Sequence, residues 1–257
     1  MNVGMMQPTF LPWLGFFELI YKSDIFIFLD DFQFSTQSWD QRNRFFVNKG
    51  QVDWYTIPIR KSISFLSPFN QVKINEAVPW RIKMLKRIQQ NYSRASFSQN
   101  IFPLMKEWLS EKTESLADQN IGFIKLVCDI MGLRREFRLS SSYPSDERRS
   151  KRVLQLLRFC GATRYYCAKG SFDYMLEDGV FPVDDVEILF QDFQHSPYLQ
   201  IGSPDQFVAY LSVLDTLMNV GPDRTLEFIK RGTLRWWTWD ERLNYAKMEK
   251  ATPEKEE

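Results

Sequence analysis

Apolar positions fall in short runs closed off by polar punctuation. Val3 to Met6 is cut off by Gln7-Pro8, and proline has no N–H to continue a ladder, so the run reads as a buried strand ending in a loop. A helix is expected from about Pro12 to Lys22. Ile25 to Leu29 (IFIFL) is continuously apolar, the pattern of a strand covered on both faces, and it stops at Asp30-Asp31. Strand, helix and strand make a βαβ unit.

Tyr55 to Ile59 and Gln71 to Ile74 read as two more short strands, a candidate pair, with Ser67-Pro68 in the polar stretch between them. From Pro79 to Met131 the period becomes helical, with Ile121, Ile124, Val127, Cys128 and Met131 on one face, and predicts three successive helices. Alternation then resumes. Glu136 to Leu139 ends at Ser140-Ser141-Ser142, a helix is expected from about Asp146 to Phe159, and Arg164 to Cys167 ends at Ala168-Lys169-Gly170. Val186 to Phe190 is the last strand candidate, and Pro204 to Val220 an apolar helix stopped by Gly221-Pro222.

Strands alternating with helices predict an α/β fold, because parallel neighbours need crossover helices. The expectation is a Rossmann-like, mostly parallel sheet in one domain over residues 1–250. A helical insertion occupies about 79–133, and 251–257 form a flexible tail.

Composition narrows the function classes. Of 257 residues 44% are hydrophobic and 16% aromatic, which excludes disorder for most of the chain. A formal net charge of +1 argues against a nucleic-acid platform, which usually needs a basic face. Cys128, Cys160 and Cys167 form no CxxC pair, so neither a disulfide framework nor a zinc site is indicated, and a reducing cytosol fits. No stretch approaches the roughly 20 apolar residues of a membrane span and no signal-peptide pattern opens the chain, so the expected location is cytoplasmic.

Ligands of open α/β sheets bind outside the carboxyl ends of the strands. Gln7, Asp30-Asp31, Ser140-Ser141 and Lys169-Gly170 each follow a predicted strand, although a solvated turn is the plainer reading of each alone. Asp30, Asp31 and Gln33 suit gripping sugar hydroxyls, accepting a proton or holding a hard cation; pairing one acid with Arg42 or Arg44 is the structural alternative. Trp39, Arg42, Asn43 and Arg44 interleave an aromatic with two guanidinium forks, which suits a nucleotide diphosphate, against an exposed loop or helix start with surface arginines. No GxGxxG or Walker loop is present.

His195 is the only histidine and a candidate general base, its tautomer set by Asp192, Asp215 or a backbone carbonyl; the alternative is a hydrogen-bonded structural residue. Cys160 and Cys167 lie in apolar stretches and are assigned to the core. Asp215 and Asn219, four apart on one helix face, either bind backbone or form a site wall. No metal site and no particular cofactor are indicated.

Several segments together resemble the WbqC-like protein family: Gln7-Pro8-Thr-Phe-Leu-Pro12-Trp13-Leu-Gly15, Asp24 through Asp30-Asp31-Phe-Gln33, Trp39 with Arg42-Asn43-Arg44, Trp54 to Pro58, Ser140-Ser141, His195-Ser-Pro-Tyr198-Leu-Gln200 and Leu211 to Gly221. The resemblance implies a role in bacterial O-antigen or other surface-polysaccharide synthesis, on a nucleotide-activated or lipid-linked sugar. The N-terminal layout is also similar to the HIGH-motif nucleotidyltransferases. Trp13-Leu-Gly15-Phe16 lies where those carry His-x-Gly-His, and the aromatics leave no charge for a departing pyrophosphate.

The expected activity is transfer of an acyl or aminoacyl group to the amine of a nucleotide-linked amino sugar. Arg42 and Arg44 hold the diphosphate, Trp39 stacks, and Gln7, Asn43, Ser140, Ser141, Tyr198 and Gln200 complete the substrate site. Asp30, Asp31 and Gln33 orient the sugar and His195 accepts the proton. The partners are the nucleotide sugar and an acyl donor, with a carrier thioester as one form. A non-catalytic sugar-nucleotide-binding or assembly protein and a divergent nucleotidyltransferase are the alternatives.

Overall fold

The computed structural model describes residues 1–46, 51–60, 67–201 and 206–251. Strand β1 (Asn2–Met6) leads through helix α1 (Leu14–Lys22) into the parallel strand β2 (Ile25–Phe28), the expected βαβ unit. Gly4 fits its place in β1 because a Cβ there would lie 2.3 Å from the Ser23 hydroxyl at the end of α1.

The chain then leaves the main sheet. Strand β3 (Arg42–Phe46) pairs antiparallel with β4 (Val52–Thr56) as a separate two-stranded ribbon. This corrects the expectation of a strand over Tyr55 to Ile59 paired with Gln71 to Ile74. Only the Ile59–Ile74 bridge links those segments, and Phe69–Gln71 is a 3-10 turn. The polar sequence of β3 hid a strand whose neighbours are supplied by tertiary packing.

Three helices follow as expected, α2 (Trp80–Tyr92), α3 (Ser98–Ser110) and α4 (Leu116–Ile130), and the predicted apolar face of α4 is buried from Ile121 to Met131. Strand β5 (Glu136–Leu139), helix α5 (Arg149–Phe159), strand β6 (Arg164–Cys167), helix α6 (Ser171–Asp178) and strand β7 (Glu187–Phe190) resume the alternation. α6 was not expected, and α5 begins three residues later than predicted.

Helix α7 runs Val213–Arg231, not from Pro204. Residues 206–212 are coil, and Pro204 lies outside the described residues. At Gly221 the backbone leaves helical geometry (φ 81°, ψ 174°) and Pro222 opens a second helical segment, so the expected stop is a break within one long element. The chain adds an antiparallel strand β8 (Trp237–Thr238) and helix α8 (Trp239–Ala251) before residues 252–257, outside the described set.

The sheet order is β5-β2-β1-β6-β7-β8, parallel except for β8, which makes the fold α/β with a mostly parallel sheet. Alternation along each strand divides the core. Phe26 and Phe28 of β2 pack with α1, α2, α3, α4 and α7 on one face, whereas Val3, Met5, Ile25 and Ile27 pack with α5, α6 and α8 on the other. All three cysteines are buried and free, and burial pushes the Cys128 thiol up to about 12. Among the described residues no helix is long and apolar enough to cross a membrane.

Candidate functional site at the sheet switch point

β1 feeds α1 and then β2 on one side, while β6 feeds α6 and then β7 on the other, so the loops leaving β1 and β6 diverge. Such a switch point opens a crevice at the strand carboxyl ends. A cleft of about 470 Å³ lies there, lined by Gln7 and Thr9 after β1, Ser38, Trp39 and Asp40 before β3, and Tyr174 of α6. Gln7 and Trp39, two expected site residues, are therefore on its wall. Gln7 Nε2 donates to the Gln33 carbonyl at 2.9 Å, which joins the loops after β1 and β2.

Asp40 is the cleft residue that sequence reasoning missed. It is 5% exposed, and its carboxylate accepts from Ser38 Oγ at 3.0 Å; among the described residues it has no ion pair. Loss of solvent without a compensating cation raises its pKa from 3.8 to about 6. Its backbone is fixed from behind by the buried Asn120, whose Nδ2 donates to the Asp40 carbonyl at 2.8 Å and to the Pro8 carbonyl at 2.7 Å. The available signal was the strand at 42–46: read as a loop or helix start, the segment gives no reason for Asp40 to be buried.

The cation lining the cleft itself is Arg149, which is paired with Glu177 and Asp178, while the ribbon carries two further arginines next to Trp39. Alternation puts Arg42 and Arg44 on one face of β3 with Trp54, the partner of Arg44 in the pairing. The Arg42 guanidinium lies 4.3 Å from the Trp54 ring centroid and that of Arg44 5.7 Å from Trp39, with the two indoles 5.0 Å apart. Among the described residues neither arginine has a carboxylate partner, and the Nε of each is buried without a hydrogen bond. Guanidinium groups without a carboxylate partner, set against a tilted pair of indoles, suit an anion carrying a ring. Asn43 faces inward, where its Nδ2 holds the Phe10 and Leu11 carbonyls at 3.0 and 2.6 Å and pins the loop after β1 to the ribbon.

Arg44 Nη2 also reaches the Tyr210 carbonyl at 3.4 Å, which connects the ribbon to His195. The imidazole is boxed by Tyr210, Phe193 and Trp13 at centroid distances of 4.5, 5.1 and 5.4 Å, and its Nε2 is buried without a partner among the described residues. Burial holds its pKa down at about 4, so it is neutral at pH 7. Neither expected acid sets its tautomer: Asp192 pairs with Lys169 at 3.0 Å, and Asp215 is occupied elsewhere.

Asp30, Asp31, Ser140 and Ser141 do come together, where β2 and β5 end side by side. Asp30 accepts from the Ser141 N–H at 3.0 Å and hydroxyl at 2.6 Å and from Ser140 Oγ at 3.2 Å. Asp31 accepts from Ser140 Oγ and pairs at 3.1 Å with Arg152, which also donates to the Ser140 carbonyl. These carboxylates are spent on internal donors, and the cation is Arg152 in place of the expected Arg42 or Arg44. The cluster ties two loops together beside the cleft.

Tyr198 and Gln200 belong to another buried knot. Asp215 accepts from Tyr198 Oη at 2.6 Å, Tyr92 Oη at 2.9 Å and Gln200 Nε2 at 2.9 Å, and desolvation raises it to about 6. The Gln200 amide also clamps both backbone groups of Val208, donating to the carbonyl at 3.0 Å and accepting the N–H at 2.8 Å. The knot holds the segment that presents Tyr210, itself at φ 59°, a conformation costly for a tyrosine. Among the described residues no group of three His, Cys, Asp or Glu is placed to hold a metal.

The chain is 26% identical over 224 residues to an uncharacterized protein of Mycobacterium tuberculosis, Rv1507c, spanning 86% of this chain and 95% of that relative. No solved structure matches it. The family model of the WbqC-like protein family matches residues 7–227, which take in the loop after β1, the ribbon, the carboxylate cluster and the Asp215 knot. This chain belongs to the WbqC-like protein family.

Proposed function

We propose that this protein is a cytoplasmic transferase of bacterial surface-polysaccharide (O-antigen) synthesis that places an acyl or aminoacyl group on the amine of a nucleotide-linked amino sugar. The supporting observation is the switch-point cleft, with a buried proton-accepting carboxylate and Trp39 in its lining and, next to Trp39, two guanidinium groups that lie over indole rings and have no carboxylate partner among the described residues.

In this reading Arg42 and Arg44 take the diphosphate, Trp39 stacks on the base, and Gln7 and Ser38 meet the sugar. Asp40 is the proton acceptor in preference to His195, because a base with a pKa near 6 is better matched to neutral pH than one near 4. The neutral amine attacks the donor carbonyl carbon, an N–C bond forms, and the C–S bond of the thioester breaks. The amine proton passes to Asp40 and then to the departing thiolate. Positioning supplies most of the rate, since a neutral amine needs little further activation. His195 and Tyr210 close the rim, while the Asp30 and Asp215 networks hold the surrounding loops.

The test is calorimetric titration with UDP-, dTDP- and GDP-linked amino sugars, and with ATP and magnesium, followed by mass spectrometry for the amide product. Each charge-assisted bond is worth about 1.5–3 kcal/mol, so Arg42→Ala and Arg44→Ala should each weaken nucleotide-sugar binding by roughly 10- to 100-fold. Binding confined to ATP with magnesium refutes the reading. Saturable nucleotide-sugar binding without product from any acyl donor refutes the transfer step.

A further inference from the structure

Thr9 and Phe10 are chain neighbours that border different cavities. Thr9 lines the switch-point cleft, and Phe10 lines a second groove, of about 550 Å³, between the ribbon and α2. That volume lies within the about 300–1,000 Å³ of small-ligand pockets. The groove floor is apolar: Phe10, Met84 and Trp80 are buried and Val78 is half-buried.

One side is cationic. α2 presents Lys83, Lys86, Arg87 and Gln90 to the groove, a spacing of three, one and three residues that keeps them on one helix face, and all four are exposed. Among the described residues no carboxylate lines the groove, and α2 contains no acidic residue. Asp53 reaches Arg87 only at 3.9 Å between exposed side chains, a weak pairing. Arg87 lies over the ring of Tyr55, a buried residue of the groove wall.

An apolar floor beside three cations selects a ligand that is apolar along its length and anionic at one end. We propose that this groove is the donor site of the transfer and binds the phosphopantetheine arm of an acyl thioester. Its phosphate lies on Lys83, Lys86 and Arg87, and its acyl end is directed past Phe10 toward Thr9, where the acceptor cleft begins. The assignment rests on the transferase reading and supplies its second substrate. Free coenzyme A and the prosthetic arm of a carrier protein share this chemistry.

The test titrates the full-length protein and the Lys83→Glu/Lys86→Glu variant with acetyl-CoA, 4′-phosphopantetheine and pantetheine, and separately with the nucleotide-linked amino sugar. The expected result is acetyl-CoA binding that falls at least tenfold in the variant and for pantetheine, which has no phosphate. Nucleotide-sugar affinity and melting temperature stay unchanged, because both substituted side chains are exposed. Equal affinity for 4′-phosphopantetheine and the coenzyme supports an arm on a carrier protein, and stronger binding of the coenzyme supports the free thioester. Absent acetyl-CoA binding, or equal binding by the variant, overturns the groove assignment and leaves the acceptor cleft standing. Acetyl-CoA binding lost in the variant, with no nucleotide sugar bound by either protein, overturns the acceptor reading alone.

Discussion

Replacing Asp40 by Asn should stabilise the protein at neutral pH while abolishing turnover. The carboxylate is buried against a single side-chain donor, and its pKa rises from 3.8 to about 6. The unfolded chain titrates at the ordinary value, so between about pH 4 and 6 the folded state keeps a proton that the unfolded state has released. The contribution of the protonated form is complete below pH 3.8 and is lost as pH rises through about 6. At about 1.4 kcal/mol per pH unit the displacement amounts to about 3 kcal/mol. Asparagine cannot ionise and its Oδ1 can still accept from Ser38, so at pH 7 the variant should exceed the parent by up to about 3 kcal/mol, and near pH 4 the two should coincide.

The assay is urea unfolding of both proteins, followed by tryptophan fluorescence, at intervals from about pH 4 to 8. The difference between proteins is the quantity to read, because two other groups shape the parent curve. Asp215, also raised to about 6, lowers stability with rising pH in the same window. His195, lowered from 6.5 to about 4, acts oppositely: its contribution is present above pH 6.5 and is lost as pH falls through about 4. A gap that is constant with pH, or an Asn variant weaker at pH 7, refutes the description of Asp40 as an unpaired buried acid. Stability gained together with a 10²- to 10⁴-fold loss of turnover, the usual range for a removed base, marks a group kept for chemistry at a cost to folding.

Asp215→Ala takes a shared acceptor from the Tyr92 and Tyr198 hydroxyls and the Gln200 amide, and a urea titration should show a loss of about 3–5 kcal/mol; a loss under 1 kcal/mol contradicts the knot. Gly221→Ala forces a Cβ to 2.5 Å from the Phe97 ring at φ 81°, and should cost about 2–4 kcal/mol in thermal unfolding. His195→Gln should change kcat by less than about tenfold with a pH–rate limb still near 6; a loss of 10²-fold or more returns the proton-acceptor role to His195.

The parts of the fold legible in sequence are those whose signal is local. IFIFL marks β2 because a strand covered on both faces is apolar throughout, and the 3.6-residue period marks α2, α3 and α4. β3 was hidden because Arg-Asn-Arg carries no apolar alternation, its strand form coming from the pairing with β4 and the Asn43 hold on residues 10 and 11. α6, with eight residues, is too short for its period to stand out. Residue type drew attention to Trp39, Arg42 and Arg44, of which Trp39 lines the cleft, but Asp30 and Asp40 look alike in sequence. Burial with several donors in one case and with one in the other separates them, and only the three-dimensional arrangement carries that difference.

The arginine-bearing ribbon and the floor of the cleft belong to different sheets. The floor hangs from β1 and β6, central strands hydrogen-bonded on both sides, while the ribbon is two-stranded and joined to the rest by side-chain amides and loop contacts. Amide protons of Gly4 and Tyr165 should therefore exchange only when the whole molecule opens, whereas those of Asn43 and Tyr55, a hydrogen-bonded pair of the ribbon, exchange through a smaller, cheaper detachment. A bound diphosphate would close that detachment first. Its arrival is then readable as slowed exchange in the ribbon against a central sheet that keeps its own rate.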